Sequence, residues 1–173
     1  MKKVFALIAA TLVTTSSFAI LFETESNNTF GLANTITRGA SPWADVGFMS
    51  LEAGGGDVDF FKIHLDAGET ITAITTPMVI EFDDPDTMMA LYDPTFTEMD
   101  FNDDANGFGS AVRGTATMTG DHYLAITGFG DFGFVGDHVQ EGSYVLTVSV
   151  VPEPATMAAL ALGGAMLLRR RKK

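Results

Sequence analysis

The chain has no cysteine among its 173 residues, which excludes disulfides and thiolate metal sites as a means of holding it together. Cationic side chains are nearly as scarce through its middle. Seven of the ten Lys and Arg lie at the two ends: Lys2, Lys3, Arg169, Arg170, Arg171, Lys172 and Lys173. Between them only Arg38, Lys62 and Arg113 stand against 21 acidic residues, with Glu153 set aside, a formal net charge of about −18. Such a body repels nucleic acid and anionic lipid, so neither is expected as a partner. Its self-repulsion favours states that carry bound cations. Catalytic signatures are missing as well. There is no cysteine nucleophile and no G-x-S-x-G elbow, and His64, His122 and His138 lack metal-ligand spacing. Carboxylate pairs abound, but at this charge their proximity alone does not argue for acid/base work. No enzyme is expected.

What is present begins at the ends. Lys2-Lys3 followed by Val4 to Val13 reads as the charged and apolar regions of a signal peptide, and Ser17-Phe18-Ala19 offers small residues for cleavage near Ala19. An uncleaved anchor is the other reading of this stretch. At the far end, Pro152-Glu153-Pro154 forbids helix and sets an extended segment. An uncharged run from Ala155 to Leu168 follows, rich in helix formers. As a helix it spans roughly 21 Å, short of the ~30 Å hydrocarbon core, with flanking residues and snorkelling arginines making up part of the gap. Arg169, Arg170 and Arg171, with the two terminal lysines, form a stop-transfer cluster expected on the cytoplasmic side.

The triplet Pro152-Glu153-Pro154, the apolar segment with Gly163-Gly164 in it and the terminal Arg169-Arg170-Arg171 together resemble the PEP-CTERM sorting signal of Gram-negative bacteria. That resemblance implies export through the inner membrane, a membrane-anchored precursor, and removal of the tail by an exosortase. An ordinary tail anchor is the alternative for the same residues. The expected organisation is a signal peptide over 1–19, one domain over 20–150 and a sorting signal over 151–173.

The stretch between the signals, about 130 residues, is long enough for one cysteine-free core and leaves no room for a second domain. Short runs rich in Val, Ile, Thr, Phe and Tyr recur between Gly, Asp, Asn and Pro clusters, the pattern of an all-β protein. Val46 to Met49 is a possible first strand. Phe61, Ile63 and Leu65 alternate with Phe60, Lys62 and His64, which predicts one buried and one wetter face. Asp66-Ala67-Gly68-Glu69 reads as a hairpin turn into Thr70–Thr75. Further strands are expected at Met88–Tyr92, Ala111–Ala116, His122–Ile126 and Ser143–Val148. An antiparallel two-sheet sandwich accommodates them.

The order of Glu23-Thr24-Glu25-Ser26-Asn27-Asn28, Gly56-Asp57-Val58-Asp59-Phe60-Phe61, Ala67-Gly68-Glu69, Leu91-Tyr92-Asp93, Asn102-Asp103-Asp104, His122-Tyr123-Leu124 and Gly142-Ser143-Tyr144 resembles the bacterial pre-peptidase C-terminal domain. The likeness runs from Phe22 to Val150 and implies a jelly-roll-like sandwich of the kind appended to secreted proteases. It also implies calcium. In collagen-binding members an E-x-E-x-N-D segment and a later Asp before two aromatics are ligands. Glu23, Glu25, Asn27 and Asn28 match the first by position, with Asn28 in place of a carboxylate, and Asp59 before Phe60-Phe61 matches the second. Gly56 stands where a further ligand is placed, and Asp57 is one step out of register. Ca²⁺ takes six to eight oxygens from carboxylates, amides and carbonyls, which these residue types supply. A solvated chain terminus is the competing reading of Glu23 to Asn28.

Other clusters read as structure. Asp83-Asp84-Pro85-Asp86 and Asn102-Asp103-Asp104 are expected to cap turns. Counted from Asn102, position twelve is Arg113, which excludes an EF-hand. The Gly128–Asp137 loop, with three phenylalanines, either covers the end of the sandwich or contacts a sugar or partner. Trp43 is expected in the core or covering an edge. The expectation is therefore a non-catalytic, calcium-binding surface or matrix protein that meets exopolysaccharide. The alternatives are an accessory or inhibitory module of a secreted protease and a carbohydrate-active enzyme, which would need two carboxylates at fixed separation in a cleft.

Overall fold

The structure, a computed structural model, describes residues 20–52, 56–78 and 84–153. The expected signal peptide, Pro154, the apolar run, Arg169–Arg171 and Asp83 lie outside the described residues. No helix among the described residues is long and apolar enough to cross a membrane. The described residues form ten strands: β1 (Leu21–Phe22), β2 (Asn34–Ile36), β3 (Trp43–Leu51), β4 (Asp59–Leu65), β5 (Glu69–Pro77), β6 (Thr87–Tyr92), β7 (Glu98–Asn102), β8 (Ala111–Thr115), β9 (Gly120–Gly128) and β10 (Gly142–Pro152). They form two five-stranded sheets, ordered β1-β3-β10-β5-β8 and β2-β4-β9-β6-β7.

Alternation makes these strands and joins them. Phe61, Ile63 and Leu65 of β4 point inward against Tyr144, Leu146, Val148 and Val150 of β10, all buried, while Lys62 and His64 point out. Each buried aliphatic side chain contributes roughly 1.5–3 kcal/mol. Phe60 departs from the expected alternation, since it is buried on the outer side. There Phe30 lies on it, and Phe30 also meets Tyr92 and Tyr123, with ring centroids 4.7–5.3 Å apart. One end of the outer face of the second sheet is thus covered by aromatics, while His64 and Asp121 stand exposed at the other. Trp43 packs at the margin of the core.

Three features differ from the expectation. The sheets are not wholly antiparallel: β1 pairs β3 and β2 pairs β4 in parallel at the edges. Gly47 makes the first pairing possible, because a Cβ there would lie 2.4 Å from the Leu21 carbonyl oxygen. Asp66–Glu69 is a turn, closed by Glu69 N–H donating to Asp66 O at 3.0 Å, with Gly68 at φ +90°. It is not a hairpin, since β4 belongs to the second sheet and β5 to the first. Both strands put an apolar face on the same core, so the chain arches from one layer to the other instead of pairing. Last, β10 runs past Val148 to Pro152, which pairs with Glu69. The strand therefore passes the expected domain boundary and enters the Pro152-Glu153-Pro154 triplet.

Beside that junction, Glu69 is held by Arg38, which ion-pairs with it, and by hydrogen bonds from Ser41 and the Asp66 amide. Burial alone would raise its pKa, but these partners outweigh it and bring the carboxyl below its usual range.

Candidate metal centre

The edge pairing of β1 sets the path of the segment after it. Residues 23–28 leave β1 alongside the end of β3 and cross to the start of β4. Ser50 N–H donates to Glu23 Oε2 at 2.9 Å, and Phe60 N–H donates to the Asn27 carbonyl at 3.2 Å. Asn34 clamps Thr24 from both sides, accepting from its amide and donating to its carbonyl. Carboxylate oxygens of Glu23, Glu25 and Asp59 come to lie within 4.8 Å of one another.

The surroundings leave these groups short of partners. Asp59 and Asn27 are fully buried. Tyr144 donates its hydroxyl to Asp59 Oδ2, while Asp59 Oδ1, Glu23 Oε1, Asn27 Oδ1 and Asn28 Oδ1 are buried with no hydrogen-bond donor. A buried oxygen left so costs about 1–3 kcal/mol, more if charged. Burial, then the neighbouring Glu23 carboxyl, pushes Glu25 from 4.5 up to about 7. Burial and Glu23 likewise hold Asp59 well above the carboxylate range, against the hydrogen bond from Tyr144. Three carboxyls so close cannot all ionise without a cation among them. The donor set is entirely hard oxygen, three carboxylates and two amide carbonyls, which fits Ca²⁺ and would suit no thiophilic metal.

Asp57 stands apart. Its Oδ2 accepts the Glu52 amide at 2.6 Å, and its carbonyl accepts from His138 Nε2 at 2.9 Å. Burial raises its pKa, against that amide. Asn28 uses its amide nitrogen on the Gly56 carbonyl at 3.0 Å, and its oxygen is buried without a donor among the described residues. Sequence alone does not point to Tyr144 or Ser50 as parts of the site. Tyr144 reads in sequence as an ordinary inward residue of a strand, and Ser50 contributes only its backbone.

The Gly/Phe loop borders the same end of the sandwich, since Asp59 pairs with Ile126 just before it. Asp131 organises it, accepting from the Thr127 hydroxyl and from the Val135 and Gly136 amides. Gly136, at φ +79°, presses on the backbone of Gly56 and Asp57, where a Cβ would collide at 2.0 Å. Phe134 turns inward to Tyr92 and Phe101, whereas Phe129 and Phe132 remain exposed. A second acidic group, Asp86 with Asp103 and Asp104, assembles nearby from the two loops read as turn caps. Burial and mutual repulsion raise Asp86 and Asp103.

Residues 150–172 match the PEP-CTERM protein-sorting motif. That motif implies an exported protein with a membrane-anchored precursor, sorted and processed by an exosortase. No curated protein matches the chain. Among solved structures, the body is similar in fold to a periplasmic inhibitor of g-type lysozyme from Aeromonas hydrophila. The TM-score is 0.50 at 13% identity, covering 68% of this chain and 95% of that one. It also aligns with the pre-peptidase C-terminal domain of a Bacillus anthracis collagenase, with a TM-score of 0.44 at 17% identity over 68% and 93% of the two chains.

Proposed function

We propose that this is an exported surface or extracellular-matrix protein whose non-catalytic sandwich binds Ca²⁺ through Glu23, Glu25, Asp59, Asn27 and Asn28. One observation carries the reading: three carboxylates meet within 4.8 Å, and neighbouring buried oxygens find no donor among the described residues. With those ligands on the ion, the segment after β1 is tied to β4, and the adjoining loop of Phe129 and Phe132 is braced. Exopolysaccharide is the proposed partner. Sugar hydroxyls can coordinate a partly open ion, and exposed aromatic rings can stack on sugar faces. The site stands at the end of β10 opposite Pro152, so an anchored precursor presents it away from the membrane. A second reading, an accessory or inhibitory module of a secreted protease, draws on the same exposed phenylalanines; co-purification of a protease with the chain would favour it.

The test is a thermal melt in calcium and in EGTA, on the parent chain and on a Glu25→Gln/Asp59→Asn variant. A ligand at 100 times its dissociation constant adds about 2.7 kcal/mol, several degrees for a body of this size. Calcium is expected to raise the melt in the parent alone. An unchanged melt in EGTA overturns the proposal.

A further inference from the structure

We infer that the outer face of the first sheet is an interface with a second copy of this chain. The inference rests on no part of the calcium site. At the outward positions of β1, β3, β10, β5 and β8, Arg113 is the one charged side chain. That is unexpected in a body with 21 acidic residues. Apolar side chains flank the uncharged centre of the face: Phe22 pairs with Phe48, Phe48 with Val145, and Val46 and Ile74 stand on either side of Thr147. Phe22 is 76% exposed and Phe48 60%. On the outer face of the second sheet, by contrast, Phe30 already covers Phe60 and Tyr123, and the rest carries Lys62, His64 and Asp121.

Charge and geometry select the occupant. Two copies of a strongly acidic body can approach broadly only where neither presents carboxylates, and this face meets that condition against itself. An anionic lipid surface finds a single cation here, too little to offset the negative charge of the body. The 36 residues of these five strands, about 3.3 Å apiece on strands about 4.8 Å apart, give roughly 570 Å². The smaller standard interfaces bury about 600 Å² per partner, so the face lies near that lower bound. A two-fold axis parallel to β10 stacks the faces in the aligned mode of sandwich sheets while sending both Pro152 residues toward one membrane.

The absence of cysteine makes the test clean. Thr147 lies at the centre of β10, itself the central strand. Stacked sheets stand ~10 Å apart, beyond disulfide reach, so a short bismaleimide is the right probe. Full-length chain in membranes is compared as Thr147→Cys and as Asp121→Cys, the latter on the half-exposed outer side of the second sheet. Thr147→Cys should give a covalent dimer and Asp121→Cys should not. Adding Phe48→Glu, or Thr72→Glu in case the first change unfolds the chain, should abolish that dimer. Equal cross-linking at both positions, which would mean association through the tail, overturns the inference. So does a dimer that survives both charged variants, or an absence of dimer at Thr147→Cys. Protection of that cysteine from a monofunctional maleimide without dimer would mean another occupant and would also overturn it.

Discussion

The hydroxyl of Tyr144, on the central strand of the first sheet, donates to Asp59 Oδ2, on the second strand of the other sheet, and neither residue has solvent exposure. The bond crosses the core between the layers and ends on the innermost carboxylate of the candidate centre. Burial and the Asp59 charge push the phenol well above its ordinary pKa, so it remains a donor at any physiological pH. Tyr144→Phe keeps the ring's packing and removes that donor, leaving both Asp59 oxygens unpartnered. A loss of about 1–3 kcal/mol is expected, read by urea unfolding in EGTA. The deficit should shrink in calcium, because the ion would supply the missing counter-charge. An equal deficit in both conditions would separate the bond from the metal.

Acidity should act on the centre in opposite directions with and without the ion. Glu25 titrates near 7 in the folded chain, against 4.5 for an unperturbed glutamate. A raised folded pKa means that the unfolded state gives up its proton first. The calcium-free protein therefore loses stability as pH rises from about 4.5 to 7. Calcium requires the ionised carboxylates, so its stabilisation should grow through that window with release of protons. Melts at pH 5 and pH 8 check both signs: EGTA samples should be relatively better at pH 5, and the shift caused by calcium should be larger at pH 8. A calcium shift that does not depend on pH would place the ion elsewhere.

Gly47 is not itself a proposed ligand, yet it decides whether β1 can dock. Adding a methyl group brings a Cβ to 2.5 Å from that of Leu21 and 2.8 Å from Met49 Cε. Gly47→Ala should displace β1, at a cost of about 1–3 kcal/mol, and carry Glu23 and Glu25 out of reach of Asp59. The expected result is a folded protein whose melt no longer responds to calcium. An unaltered response would show that residues 23–28 hold their place without the edge strand.

The chain announces its longer strands and hides its short ones. Alternation in Phe61–Leu65 and Tyr144–Val150 is legible because one face is uniformly apolar and the other is not. β1 and β2 are two and three residues long and exist only through their partners. Glu98-Met99-Asp100-Phe101-Asn102 reads as loop because β7 is an edge strand with no fully buried residue. The Asp66–Glu69 turn is visible as a turn, but nothing local says whether its flanking strands pair or face each other across a core. Within the candidate centre, Glu23, Glu25 and Asp59 match the family's ligand positions, whereas Tyr144 belongs to the same family order without being marked as a partner of any ligand. Asp86 reaches Asp103 and Asp104 only because β6 and β7 pair, Met89 opposite Asn102. Such proximity is a property of register and cannot be read from either loop alone.

The reach of β10 to Pro152 also makes the body a mechanical element. A pull on the tail acts along the axis of the central strand, flanked by nine residue pairs with β3 and nine with β5. Because the load runs parallel to the strand, those ladders resist together in shear and do not peel open one rung at a time. While anchored, the sandwich would bear such a pull on its strongest axis.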